Sequence, residues 1–179
     1  MSKTLTIPGN WTATDIPDLT GKRFLITGAT SGIGLAAATE LARRNAQVVI
    51  TARSVEKARD AIKKIGPGLV DYLLMDLTDL ESVRKAAARV DKAFDVVVLN
   101  AGVMATPFTK TVDGFELQMG TNHLGHFAFA GLIKNQIKDR LVVVSSFAHK
   151  MGNFGDNSIE SIRNPVSYTH LRAHETGRN

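Results

Sequence analysis

The sequence predicts an α/β fold: a doubly wound parallel sheet with strand order 3-2-1-4-5 and helices on both faces. Three observations carry this reading. Short apolar runs alternate with stretches of helical period, giving the order βαβαβαβαβ. The runs are near-continuously apolar, as strands covered on both faces are. The turn after the first run is rich in glycine, Thr27-Gly28-Ala29-Thr30-Ser31-Gly32-Ile33-Gly34. Right-handed crossovers bring the carboxyl ends of parallel strands to one edge, where such sheets bind ligands.

Taken in order, residues 1–20 are polar and turn-rich and read as a lead-in segment lying on the fold, with Trp11 as its one candidate anchor. Phe24 to Thr27 is the first strand. A helix follows with Ile33, Ala37 and Leu41 on one face, then a second strand at Val48-Val49-Ile50. The next helix starts near Ser54, carries Ala58, Ile62 and Ile65 at helical spacing, and stops at Gly66-Pro67-Gly68. Tyr72 to Met75 is strand three. Thr78 and Glu81 stand in capping-box register before a helix with the stripe Leu80, Val83, Ala87 and Val90. Strand four is Val96 to Leu99, a longer helical region spans roughly Val112 to Ile137, and Leu141 to Val144 is strand five.

Composition bounds the function. The 179 residues suit one domain with a real core, and 44% hydrophobic with 22% charged residues argues against disorder. The absence of cysteine excludes disulfides and thiolate metal sites and fits a reducing compartment. No apolar run approaches a membrane span, and Met1 to Trp11 lacks a basic start followed by an apolar stretch, so a cytoplasmic location is expected. The net charge of +5 is scattered along helices with no basic block interleaved with aromatics, so nucleic acid is not an expected partner.

In this fold the loops after the strands carry the chemistry. The glycine turn reads as a phosphate site. Gly28 permits a tight turn, Gly32 lets backbone approach a ligand, and Gly34 lets the new helix lie close on the strand, while its free N–H groups point at the anion. Its spacing, G-x-x-x-G-x-G, departs from the common G-x-G-x-x-G fingerprint. After strand two comes Thr51-Ala52-Arg53, where an acidic residue would hold the ribose hydroxyls of NAD. Arg53 instead suits a 2′-phosphate, which favours NADP over NAD. Asp76-Leu77, Asn100-Ala101-Gly102 and Ser145-Ser146 follow strands three, four and five. His123 and His126 are three apart but have no carboxylate or third ligand with them, so no metal site is expected.

These motifs together resemble the short-chain dehydrogenase/reductase family over about Leu19 to Ile162. Thr27 to Gly34, including Thr30, Ser31 and Ile33, matches its glycine motif, Asp76 its adenine-contacting acid, and Asn100-Ala101-Gly102 its N-A-G motif. Asn122 matches the family's helix asparagine and Ser146 its catalytic serine. Asp113-Gly114-Phe115-Glu116 and Ser145-Ser146-Phe147-Ala148-His149 are similar to the retinol-dehydrogenase-like branch. The resemblance implies an NAD(P)-binding Rossmann domain over 21–164, hydride transfer between NADP(H) and the carbonyl or alcohol of an apolar small molecule, and a serine hydroxyl bonded to the substrate oxygen. Alcohols, aldehydes and ketones are the expected partners, and a full-length parent could form a homo-oligomer.

One family feature is missing. The family needs a tyrosine as general acid/base and a lysine four residues later, which holds the ribose and lowers the phenol from its ordinary pKa of about 10. No Y-x-x-x-K follows strand five here; Tyr168 is followed by Arg172, and guanidinium is not equivalent to ammonium. Pro165 to Thr176 resembles a translated sequencing adapter, so residues 165–179 read as a non-native tail and the C-terminal part of the family fold as missing. Two expectations stay open: an NADP-dependent reductase or dehydrogenase, active either in a full-length parent, with the chain as written inactive, or through an unusual Tyr168/Arg172 pair; or a non-catalytic nucleotide-binding remnant or sensor.

Overall fold

The computed structural model describes residues 9–104 and 106–146. Its strands are β1 Arg23–Ile26, β2 Gln47–Ala52, β3 Leu69–Leu74, β4 Phe94–Leu99 and β5 Ile137–Val143. Its helices are α1 Gly32–Arg43, α2 Val55–Ile65, α3 Leu80–Ala88 and α4 Gly125–Leu132, the last continuing a π-helical turn, Met119–Leu124. The five strands form one sheet in the order β3-β2-β1-β4-β5, and every pairing is parallel, as predicted. Ile26 lies beside Ile50 of β2 and Val98 of β4, which makes β1 the central strand.

Both faces of the sheet are covered because successive strand residues point opposite ways. Leu25 enters one core with Val49, Leu73, Val97, Phe94, Phe129 and Ile133, under α3 and α4. Its neighbour Ile26 enters the other with Val48, Ile50, Ala38, Ala42, Ala61 and Ile65, under α1 and α2. Each of Leu25, Ile26, Ile50 and Val97 is fully enclosed. At about 25 cal/mol per Å² of apolar area removed from water, side chains of this size each contribute roughly 1.5–3 kcal/mol. These enclosed side chains hold the strand ends in register at the carboxyl edge.

Several elements differ from their predicted form. The buried stripe of α1 is Gly34, Ala38 and Ala42, one residue out of phase with the expected Ile33, Ala37 and Leu41; Ile33 is 56% exposed. The small residues allow α1 to sit close on the sheet, and that closeness selects the face. The cap of α3 is Asp79, whose carboxylate accepts from the Glu81 and Ser82 N–H groups, while Thr78 bonds back to Asp76. Residues 112–137 are not one helix. Thr111 N–H donates to Phe115 O across a turn in which Gly114 has φ of +80°, and helical backbone starts only after Glu116, whose carboxylate accepts from Met119 N–H. β5 consequently begins earlier than predicted, at Ile137, and its Leu141, Val142 and Val143 are exposed.

Trp11 is half exposed, and hydrogen bonds tie residues 13–18 of the lead-in segment to the end of α1. Arg44 donates to the carbonyls of Ala13 and Thr14, and Asn45 donates to Asp18. Among the described residues no helix is long and apolar enough to cross a membrane.

Candidate functional site

The carboxyl ends of β1 to β4 open onto one cleft of about 520 Å³, within the range of small-molecule and cofactor sites. It is lined by Gly28, Thr30, Ser31, Gly32, Ile33 and Gly34 from the first loop, Arg53 from the second, Asp76 and Leu77 from the third, and Asn100, Ala101 and Gly102 from the fourth. All twelve residues assigned to cofactor binding from sequence therefore meet at one place. Ser31 precedes α1 with extended backbone and no side-chain cap, so the first-turn N–H groups of that helix are left for a ligand.

The close fit of the first and fourth loops explains two of the glycines. A Cβ on Gly28, which has φ of +68°, would stand 2.7 Å from Ala101 Cα. One on Gly34 would stand 2.5 Å from Asn100 Nδ2 and 2.8 Å from Gly28 O. Gly34 thus leaves room for the asparagine that binds the first loop: Asn100 Nδ2 donates to Thr27 O at 2.9 Å. Thr27 returns the contact, its hydroxyl accepting from the N–H groups of Asn100 and Ala101, both at 2.9 Å. Gly28 N–H donates to the Thr51 hydroxyl, which joins the second loop to this frame. In the third loop, Asp76 Oδ1 accepts from both N–H and hydroxyl of Thr78, fixing the carboxylate at the cleft wall.

The opposite wall is set by the π-helical turn. Asn122, buried, accepts from Val103 N–H through Oδ1 and donates to Val103 O through Nδ2, both at 2.8 Å. Asparagine is a poor helix residue, and here its amide is used to clamp the backbone just beyond Asn100-Ala101-Gly102. His126, also buried, lies within 2.8 Å of Thr27 Oγ1 through Nε2 and within 3.1 Å of Asn122 O through Nδ1. Burial holds its pKa below the ordinary value, against the opposing effect of the Asn122 carbonyl. His123 takes a different direction: it is exposed and stacks on Phe127, 6.2 Å between ring centres. The two histidines do not share a site.

Comparison with known proteins now places this architecture. The profile described as "short chain dehydrogenase" matches residues 22–158. The chain belongs to the short-chain dehydrogenase family. It is 39% identical to human retinol dehydrogenase 11 over 158 residues, which are 82% of this chain and 50% of that protein. It is 40% identical to mouse retinol dehydrogenase 14 over 173 residues, 83% of this chain and 52% of that protein. The chain thus spans about half the length of the curated relatives it matches. Among solved structures, an uncharacterised protein from Mycobacterium paratuberculosis superposes with a TM-score of 0.83 at 41% identity, covering 93% of this chain and 61% of that one.

Membership implies an NAD(P) cofactor, and the residues present fit one. The uncapped start of α1 offers N–H donors to a pyrophosphate, and the cradle between Gly28, Gly34 and Asn100 closes if a Cβ is added. Sequence reasoning missed Lys57, Thr51, Thr78, Val103 and Thr121, which also line the cleft. Lys57 was open to discovery: it lies in the first turn of α2, just past Arg53. The two residues assigned to catalysis stand apart from the lining. Asn122 reaches the cleft only through Val103, and Ser146 follows β5, next to the β4 turn, where Val144 N–H donates to Leu99 O. Tyr168 and Arg172 lie outside the described residues.

Proposed function

We propose that this cleft takes NADP(H) in preference to NAD(H), and that it serves hydride transfer between the nicotinamide and the carbonyl or alcohol carbon of an apolar small molecule. The observation that carries the cofactor preference is the end of β2: Arg53 and Lys57 line the cleft where an acid would otherwise hold ribose hydroxyls, and Ala52 stands at that point. The retinol dehydrogenases among the relatives support an apolar alcohol or aldehyde as substrate.

In this reading the N–H groups of Gly32, Ile33 and Gly34 hold the pyrophosphate, Arg53 and Lys57 the 2′-phosphate, and Asp76 with Leu77 the adenine side. Asn100, Ala101 and Gly102 form the floor, Asn122 positions that floor through Val103, and Ser146 donates a hydrogen bond to the substrate oxygen. The bound cofactor supplies the hydride donor or acceptor. A proton must also reach or leave that oxygen, and a serine hydroxyl does not supply it at neutral pH. The chain carries no Y-x-x-x-K after Ser146, so we hold its own turnover to be weak or absent, with a non-catalytic nucleotide-binding role as the second reading.

Titration of NADPH and NADH into the chain and into Arg53→Ala tests the cofactor assignment. A charge-assisted contact of this kind contributes roughly 1.5–3 kcal/mol, so NADPH should bind about tenfold or more tighter, and Arg53→Ala should remove most of that difference. Equal affinities in the unmodified chain would refute it.

A further inference from the structure

His126 lies outside the set of residues so far given a role, yet its ring bonds the end of β1 through Thr27 and the π-helical turn through Asn122 O. The Thr27 hydroxyl has one proton and two lone pairs. Both lone pairs are engaged, by the N–H groups of Asn100 and Ala101 at 2.9 Å each, so its proton must point at the third neighbour, His126 Nε2 at 2.8 Å. That nitrogen therefore accepts and carries no hydrogen. In a neutral imidazole the hydrogen is then on Nδ1, which lies 3.1 Å from Asn122 O, a carbonyl that can only accept. The two ends of the ring specify the same tautomer independently.

We propose that His126 is a positioning residue: fixed as the neutral Nδ1–H tautomer, it ties the turn that carries Asn122 to the strand end that carries the phosphate loop, by way of Thr27. The linkage rests on the proposed cofactor site for its functional meaning, but not for its existence. It gives one continuous chain from Asn122 O through the imidazole and the Thr27 hydroxyl to the amides of Asn100 and Ala101, while the Asn122 side chain grips Val103 two residues on from Ala101. Both sides of the N-A-G turn are thereby held from one helix. An imidazolium would put an N–H against an oxygen with no lone pair left, so protonation opposes the linkage. Its own hydrogen-bond partners are both uncharged, the Thr27 hydroxyl at the end of β1 and the Asn122 carbonyl; His123, three residues away, is the ionisable neighbour and also disfavours protonation of His126.

The test uses the full chain without cofactor first. Nitrogen-15 NMR of the imidazoles reports the tautomer directly, and amide spectra of His126→Gln and His126→Phe report transmission. The expected result is Nδ1–H for His126, with the Asn100 and Ala101 amides displaced in His126→Phe and largely retained in His126→Gln, whose side-chain carbonyl can still accept from Thr27. NADPH affinity should fall about tenfold in the phenylalanine variant, as for loss of one buried hydrogen bond, and be largely restored by glutamine. An Nε2–H tautomer in the unmodified chain, or amides of Asn100 and Ala101 that do not move in His126→Phe, would overturn the proposal. Failure of the unmodified chain to bind NADPH, with tautomer and amide shifts as expected, would strike the cofactor reading and leave the linkage standing.

Discussion

Replacement of Gly34 by alanine should destabilise the protein although helix propensity alone predicts the reverse. Gly34 lies within α1 with ordinary helical backbone, and alanine is favoured over glycine there by about 1 kcal/mol. Against this, the new Cβ would meet Asn100 Nδ2 at 2.5 Å, Gly28 O at 2.8 Å and Ala29 Cα at 3.0 Å. Two of these are backbone atoms of the glycine-rich turn after β1, and the third can withdraw only by giving up its bond to Thr27 O. Overpacking costs roughly 1–3 kcal/mol and a lost hydrogen bond about 1 kcal/mol, which leaves a net loss of about 1–3 kcal/mol. Gly131 provides the control. It lies in α4, where an added Cβ meets nothing within 4 Å, so Gly131→Ala should be stabilising by roughly 0.5–1 kcal/mol. Urea unfolding followed by circular dichroism separates the two. A Gly34→Ala variant as stable as the parent would refute the close-packed cradle.

Removal of the α3 cap in Asp79→Ala should cost about 1 kcal/mol in the same assay, since two N–H groups lose their acceptor. Stability should decline as pH falls below the ordinary histidine value of 6.5, because the unfolded imidazole of His126 takes up a proton that the folded one resists. The slope from this one group reaches about 1.4 kcal/mol per pH unit at most, and His126→Gln should flatten it; an unchanged slope in that variant would remove His126 as the cause. NADPH oxidation on apolar aldehydes and ketones should be about 10²- to 10⁴-fold slower in this chain than in a version whose continuation supplies Y-x-x-x-K. Turnover in the unmodified chain that vanishes in Tyr168→Phe would make Tyr168 catalytic instead.

The parts of this molecule legible in its sequence are those set by local pattern. Val48-Val49-Ile50 and Val96 to Leu99 are apolar without a break because both faces of the sheet are buried, and that is visible without a structure. The residues at their carboxyl ends could then be assigned to one cleft by topology. The phase of α1 was not legible, since its true contact face is small, Gly34, Ala38 and Ala42, and the more hydrophobic Ile33 faces outward at the cleft. The start of the helical region after β4 was hidden for another reason: the turn at Asp113-Gly114 falls inside the span 112–137 expected to be helical, and it is fixed by a distant contact, Asp113 accepting from Leu80 N–H at the head of α3. His126 was seen only as one of two histidines three apart. Its defining partner, Thr27, lies 99 residues away in the chain, and no local period reports such a pair.

The most direct measurement of the central claim is an amide NMR titration of the chain with NADPH. The account predicts that the largest shifts fall on Gly32, Ile33 and Gly34 at the start of α1 and on Arg53 and Lys57 after β2. NADH should reproduce the first group and not the second. Shifts that avoid the start of α1, or identical patterns for the two nucleotides, would contradict it.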